Sequence, residues 1–293
     1  MNRAVLVTGA KGQLGLSIQA LEKQYISFQF TFVDIDVLDL SNELSIEEYF
    51  QNNRFDVIVN CAAYTAVDKA ESEPELADAI NHLAVKKLAK IAKAKGIILI
   101  HISTDYVFNG QNFKPYIESD PTNPQSVYGS SKLKGELAFQ AENPNGVIIR
   151  TSWVYSEFGK NFVKTMLKLG SERDSLNVIF DQIGSPTYAG DLAKSILDII
   201  QMTQFEKLNA TDKLFHYSNE GVCSWYDFAK SILELSDAQC VVSPIETKDY
   251  PTPAQRPYYS LMNKAKIKQQ FGVTIPYWKD SLNTCIKRLQ EQK

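Results

Sequence analysis

The chain has 293 residues, 44% of them hydrophobic and 22% charged, with a formal net charge of −3. That length suits one large α/β domain, alone or with a smaller lobe, and the slightly acidic balance gives no basis for nucleic-acid binding. No apolar run approaches the roughly 18 residues that a membrane span needs, and the opening stretch Met1–Val7 lacks the plan of a secretory signal. The four cysteines, Cys61, Cys223, Cys240 and Cys285, are scattered without a Cys-x-x-Cys pair. A reduced, cytoplasmic protein with free thiols is the expectation.

In chain order, Ala4–Thr8 is an apolar run of strand type and Leu16–Leu21 has helical spacing. Between them lie Gly9, Gly12 and Gly15, spaced G-x-x-G-x-x-G, with Gln13 and Leu14 inside the loop. Missing side chains allow a tight turn and close helix–strand packing, so that a pyrophosphate can meet backbone N–H groups at a helix N-terminus. The next strand, Phe30–Asp34, ends in a carboxylate about twenty residues beyond the loop, where an acidic residue takes the adenosine ribose hydroxyls. Ile35 and Asp36 follow, with no Arg or Lys to meet a ribose 2′-phosphate, so NADH is expected to be preferred over NADPH. Asp39 and Leu40 are candidates for the adenine edge.

Asp56–Asn60 has the pattern of a buried strand leading into the small residues Cys61, Ala62 and Ala63, where a flat cofactor could approach the backbone. A helix is predicted over 79–95 with Gly96 ending it, then a central strand over 97–103. This strand–helix alternation predicts an α/β fold, a Rossmann-type doubly wound parallel sheet whose ligands bind beyond the carboxyl ends of the strands. Ser103 or Thr104 stands at that edge. His101, among apolar neighbours, is expected to be a packed strand residue. After a proline-bearing irregular stretch a helix is expected from Tyr128 to about Glu142, then a strand over 146–150. Tyr128 and Lys132, four residues apart, share one helix face. A phenol near an ammonium loses its proton more readily, and such a pair can exchange a proton with a carbonyl or alcohol oxygen.

Beyond residue 150, Phe162, Val163, Met166 and Leu167 fall at helical spacing, with Asn161 placed to cap the helix or to touch a ligand. Asp191–Leu197 is predicted helical, Leu214–Ser218 a strand, and Ser224 an N-cap with Asp227 at N3. Trp225 is expected in the core. Tyr250–Pro257 reads as a rigid loop carrying Arg256, whose guanidinium suits a diphosphate, and 277–293 as an amphipathic helix. The expected division is 1–150 plus about 180–218 as the dinucleotide-binding domain, and about 151–179 plus 219–293 as a smaller mixed α/β substrate lobe.

Together these blocks resemble the extended short-chain dehydrogenase/reductases, and within them the dTDP-4-dehydrorhamnose reductase family. The similarity runs through Gly9–Gly15, Asn60–Glu71, Ser103–Phe108, Tyr128–Glu136, Arg150–Tyr155, Asp181–Thr187 and Arg256-Pro257. The resemblance implies a catalytic triad of Thr104, Tyr128 and Lys132. Tyr128 would protonate the C4 oxygen of a dTDP-keto-sugar, Lys132 would lower the phenol's pKa and bind the nicotinamide ribose, and Thr104 would hold the substrate oxygen. Ala62, Ala63 and Tyr64 would line the cofactor, NADH or NADPH; Val67, Asp105, Tyr106 and Trp153 would face the sugar nucleotide, with Arg256 at its diphosphate. Some family members carry a glutamate two residues after the last glycine, linked to a magnesium-bridged dimer. Ser17 stands there in this chain, which puts Mg²⁺ in doubt and leaves a homodimer open. Another keto-sugar reductase, an epimerase or dehydratase, a spore-coat sugar reductase and a non-catalytic NADP-binding regulatory subunit are the rival readings. Asp105-Tyr106 after Thr104, where dehydratases usually carry Asp-Glu, argues against a dehydratase.

Overall fold

The computed structural model describes residues 3–202, 208 and 212–291. Residues 292 and 293 of the expected last helix, and 203–207 and 209–211 of the expected first domain, lie outside the described residues. Six parallel strands form the central sheet: β1 (Arg3–Thr8), β2 (Phe28–Val33), β3 (Val57–Asn60), β4 (Ile98–Thr104), β5 (Gly146–Thr151) and the edge strand Leu214–His216. Their spatial order is Leu214–His216, β5, β4, β3, β1, β2. The chain runs outward from β1 to β2, then returns to the other side of β1 for β3. A crevice opens at such a switch point beyond the strand ends.

Strand alternation splits the core between the two faces. Val5, Val7, Val57, Val59, Val147 and Ile149 enter one cluster, which includes Ile18 of α1 (Gln13–Leu21) and Leu192 and Ile196 of the helix Ala189–Met202. Leu6, Ile58, Leu99 and Ile148 enter the other, against Ile46 and Phe50 of α2 (Glu43–Asn52), Leu88 of the helix Ala84–Lys95 and Phe139 of the helix Val127–Glu142. Each such aliphatic side chain contributes about 1.5–3 kcal/mol on burial. A register slip of one residue would exchange the residues of the two faces, so the pairing register is strongly specified. The helix expected over 79–95 is longer and broken. It starts at Pro74–Asp78, passes through one π-turn at Ala79–Leu83 and continues as Ala84–Lys95, ending at Gly96 with φ 69°.

A further core lies beyond β5. Tyr155, Val163, Met166, Phe228, Ile232, Trp278 and Leu282 bring together the helices Phe162–Glu172, Trp225–Leu235 and Trp278–Glu291. Short strand pairs join Val154–Tyr155 to Thr187–Tyr188, Ile183–Gly184 to Cys223–Ser224, and Ser175–Ile179 to Val241–Ile245. Through these pairs residues 183–188, expected in the first domain, meet strands expected in the smaller lobe. Ile267, Phe271, Val273 and Ile275, expected in the lobe, pack into the first core with α1 and Phe215. Ser224 caps its helix through a capping box with Asp227, as its spacing predicts. Among the described residues no helix is long and apolar enough to cross a membrane, and all four cysteines are free.

Candidate active site

The C-terminal ends of β1, β3, β4 and β5 surround a cavity of about 810 Å³. Thr8 and Gly9 stand at the end of β1, Cys61 and Ala62 beyond β3, Thr104 at the end of β4, and Ser152 and Trp153 beyond β5. This is where a doubly wound sheet places its ligands.

The dinucleotide end is built by backbone. Gly9 has φ +63°, a left-handed conformation that favours glycine, and a Cβ there would come within 2.7 Å of the Ala62 Cα. Gly12 is the N-cap of α1 without any side-chain cap, and the first turn carries no acidic residue. The orphan N–H groups of that turn are thus left for an anion. Gly12, Gln13 and Leu14 line the cavity, as do Ala62 and Ala63. Gly15 does not. It lets α1 approach the Gly9 carbonyl and Ala10, a packing role. Ser17 is buried, and its hydroxyl donates to the Gln13 carbonyl over 2.8 Å.

Asp34, Asp39 and Leu40 line the mouth of the cavity beside the glycine loop. Asp34 accepts from the Lys11 backbone N–H at 2.8 Å and from the Ile35 N–H at 2.9 Å, which aims its carboxylate across the loop. Lys11, which no motif spacing singles out, pairs with Asp36 at 2.9 Å beside it. A cation therefore does stand at this mouth. It comes from the glycine loop and not from the stretch after Asp34.

The chemical end centres on the helix Val127–Glu142. Ser126 caps it by accepting from the Gly129 N–H at 3.1 Å. Gly129 lacks a Cβ that would collide with the Tyr106 carbonyl, so the helix can press against the residues after β4. Tyr128, Lys132 and Thr104 all reach the cavity wall. Burial pushes the Tyr128 phenol up to about 12, opposed by a hydrogen bond with Thr104 and reinforced by Asp105. The Lys132 Nζ donates to the Ile102 carbonyl at 2.6 Å. Burial brings Lys132 itself down to about 8, with Glu136, one helical turn on, opposing that fall. Glu136 is buried, accepts from the Ser103 hydroxyl at 2.5 Å, and forms a two-point pair with Arg150 at 2.9 and 2.6 Å. His101 is buried in β4 beside Asn60, with Nδ1 to Nδ2 at 3.1 Å.

Val67, Asp105, Tyr106 and Trp153 line the remaining wall. The Thr104 hydroxyl donates to Asp105 Oδ1 at 3.0 Å, while Oδ2 is buried without a partner, and burial pushes this carboxyl up to about 7. Trp153 adopts φ +50° and stacks on Trp225 with centroids 3.7 Å apart. The expectation that Trp225 is a core residue is thus refined: it backs the cavity wall. Two expected ligand residues stand outside the main cavity. Tyr64 turns its hydroxyl to Glu73, while its backbone N–H and carbonyl are both held by the Asn81 side chain at 2.9 and 3.0 Å. Arg256 pairs with Asp68 at 2.7 Å and borders a small adjoining pocket with Tyr106; its Nη1 is buried without a partner. Asn161 caps its helix and donates to Gln13 Oε1 at 2.9 Å. Asn81 sits in the π-turn, a feature no periodicity announces.

Comparison with known proteins agrees with this geometry. The family model described as RmlD substrate binding domain matches residues 2–291. A dTDP-4-dehydrorhamnose reductase of Sinorhizobium fredii (strain NBRC 101917 / NGR234) is 41% identical over 286 residues, covering 94% of each chain. A crystal structure of a dTDP-4-dehydrorhamnose reductase from Clostridium acetobutylicum aligns with a TM-score of 0.91 at 41% identity, covering 98% of this chain and 99% of that one. One from Bacillus anthracis, in complex with NADP, aligns with a TM-score of 0.92 at 36% identity, covering 98% and 100%. Matched along nearly its whole length in sequence and in fold, the chain belongs to the dTDP-4-dehydrorhamnose reductase family that the RmlD substrate binding domain describes.

Proposed function

We propose that this protein reduces dTDP-4-dehydro-β-L-rhamnose to dTDP-L-rhamnose, the final step of dTDP-rhamnose biosynthesis. The supporting observation is the meeting of Tyr128, Lys132 and Thr104 on one wall of a cavity whose other end is a glycine-loop anion cradle. NADH or NADPH, when bound, supplies the hydride that reaches the C4 carbonyl carbon. As C4 becomes an alkoxide, the Tyr128 O–H donates its proton to the oxygen and the alcohol forms. A phenol held up to about 12 is fully protonated at neutral pH, and transfer to the more basic alkoxide runs downhill. The Thr104 hydroxyl orients that oxygen. Lys132 spends one N–H on Ile102 and has its others for the ribose of the nicotinamide and for the phenolate left behind.

The glycine loop, Asp34, Asp39, Leu40, Ala62 and Ala63 hold the dinucleotide, and the wall of Val67, Asp105, Tyr106 and Trp153 holds the sugar. Tyr64 acts through the position of its backbone, and Arg256, from the small adjoining pocket, takes the substrate diphosphate. Asp34 favours NADH, and Lys11 keeps NADPH usable. No magnesium is needed at Ser17, whose hydroxyl is committed to the Gln13 carbonyl. With its free cysteines the protein works in the cytoplasm. The test is NADH oxidation with dTDP-4-dehydro-L-rhamnose beside GDP- and UDP-linked 4-keto-sugars. Turnover confined to, or fastest with, the dTDP sugar is expected; faster turnover of a GDP or UDP sugar would reassign the substrate.

A further inference from the structure

The loop Ser156–Asn161 comes from the second lobe yet is fastened to the dinucleotide loop. Gln13 receives the fastening on both ends of its amide. Its Oε1 accepts from Asn161 Nδ2 at 2.9 Å and from the Ser156 hydroxyl at 3.2 Å, and its Nε2 donates to the Val154 carbonyl at 3.3 Å. Gly159 lies directly on this side chain, since a Cβ there would stand 3.3 Å from Gln13 Cγ. The next residue, Lys160, is exposed and lines the main cavity together with Gly12 and Gln13. The other cavity lysines are engaged, Lys11 with Asp36 and Lys132 with the Ile102 carbonyl. Lys160 has no ion-pair partner among the described residues.

We propose that Lys160 is a diphosphate ligand, supplied by the second lobe and held over the N-terminus of α1 by the Gln13 clamp, and that the diphosphate it binds is that of the nicotinamide dinucleotide. The geometry separates this duty from that of Arg256, which stands beyond Tyr106 beside Asp68. The α1 N-terminus offers N–H groups and a partial positive charge, and two phosphate charges leave room for a mobile cation opposite. An ammonium on a flexible stem suits that position, as a point charge needing no fork geometry. Because Gln13 ties this loop to the dinucleotide loop, the cofactor is gripped between the two lobes. The inference rests on the dinucleotide reading of the glycine loop and not on the identity of the sugar.

The experiment is equilibrium binding of NADH and, separately, of dTDP, by fluorescence titration of the whole protein and of its Lys160→Ala and Lys160→Arg variants. Lys160→Ala should weaken NADH roughly five- to tenfold while dTDP binding stays within twofold, and Lys160→Arg should restore NADH binding; the loss should shrink as salt is raised. Unchanged NADH binding with weakened dTDP would assign Lys160 to the substrate diphosphate and overturn the proposal. No change in either ligand would make it a solvated lysine, and equal loss of both would make it a loop-folding residue; each overturns it too. Since NADH is titrated without substrate, a wrong assignment of the sugar leaves the result unaffected.

Discussion

Replacing Glu136 by Gln keeps the shape of the side chain and removes its charge. Glu136 is 1% exposed and Arg150 2%. The carboxylate accepts two hydrogen bonds from the guanidinium and one from Ser103. Arg150 Nη1 already lacks a partner, so the variant leaves a buried cation without its counter-charge. Breaking such a pair costs about 3–5 kcal/mol, readable as a lower urea midpoint at unchanged slope. A second effect separates Glu136 from ordinary packing. Burial lowers Lys132 to about 8 and Glu136 opposes that fall. If the Lys132 ammonium is required, turnover falls as pH rises through that value. Without Glu136 the ammonium loses its proton more easily, so the alkaline limb of kcat must move to lower pH. The assay is kcat against pH for both proteins under conditions where both remain folded. Loss of stability with the alkaline limb unmoved would refute the link from Glu136 to Lys132.

NADH should give a higher kcat/KM than NADPH if, as proposed, Asp34 accepts from the ribose hydroxyls; Lys11→Ala should lower kcat/KM for NADPH more than for NADH. The reverse cofactor order in the parent protein would defeat the Asp34 argument. Trp225→Ala removes the ring on which Trp153 stacks at 3.7 Å, so KM for the sugar nucleotide should rise severalfold while KM for NADH stays put. A change confined to NADH would place the tryptophan pair at the other end of the cavity. Treatment with EDTA should leave turnover unchanged, and loss of turnover restored by magnesium would return a metal to the site.

Much of the site is legible in the chain because its parts are local. The glycine loop, Asp34 at the end of one strand, Ser103 or Thr104 at the end of another and Tyr128 four residues before Lys132 each follow from a spacing within one element, and the family resemblance singles out Thr104. What escaped is what the fold brings together from separate elements. Lys11 pairs with Asp36 across two loops, a contact that no spacing beyond Asp34 announces. Asn81 grips Tyr64 from a π-turn that helical periodicity does not reveal. The hydrogen bond of Lys132 to the Ile102 carbonyl is a matter of packing. So is the return of 265–275 to the first core, since an apolar pattern tells which face is buried but not against which neighbour.

The central claim is that Tyr128 delivers the proton to the C4 oxygen of the dTDP-keto-sugar. Its most direct test is NADH oxidation by Tyr128→Phe with dTDP-4-dehydro-L-rhamnose, with NADH affinity measured on the same preparation. Loss of the acid should lower kcat by roughly 10²–10⁴-fold while NADH affinity stays within about twofold of the parent. A variant that turns over within tenfold of the parent, with NADH bound normally, would remove Tyr128 from the acid role.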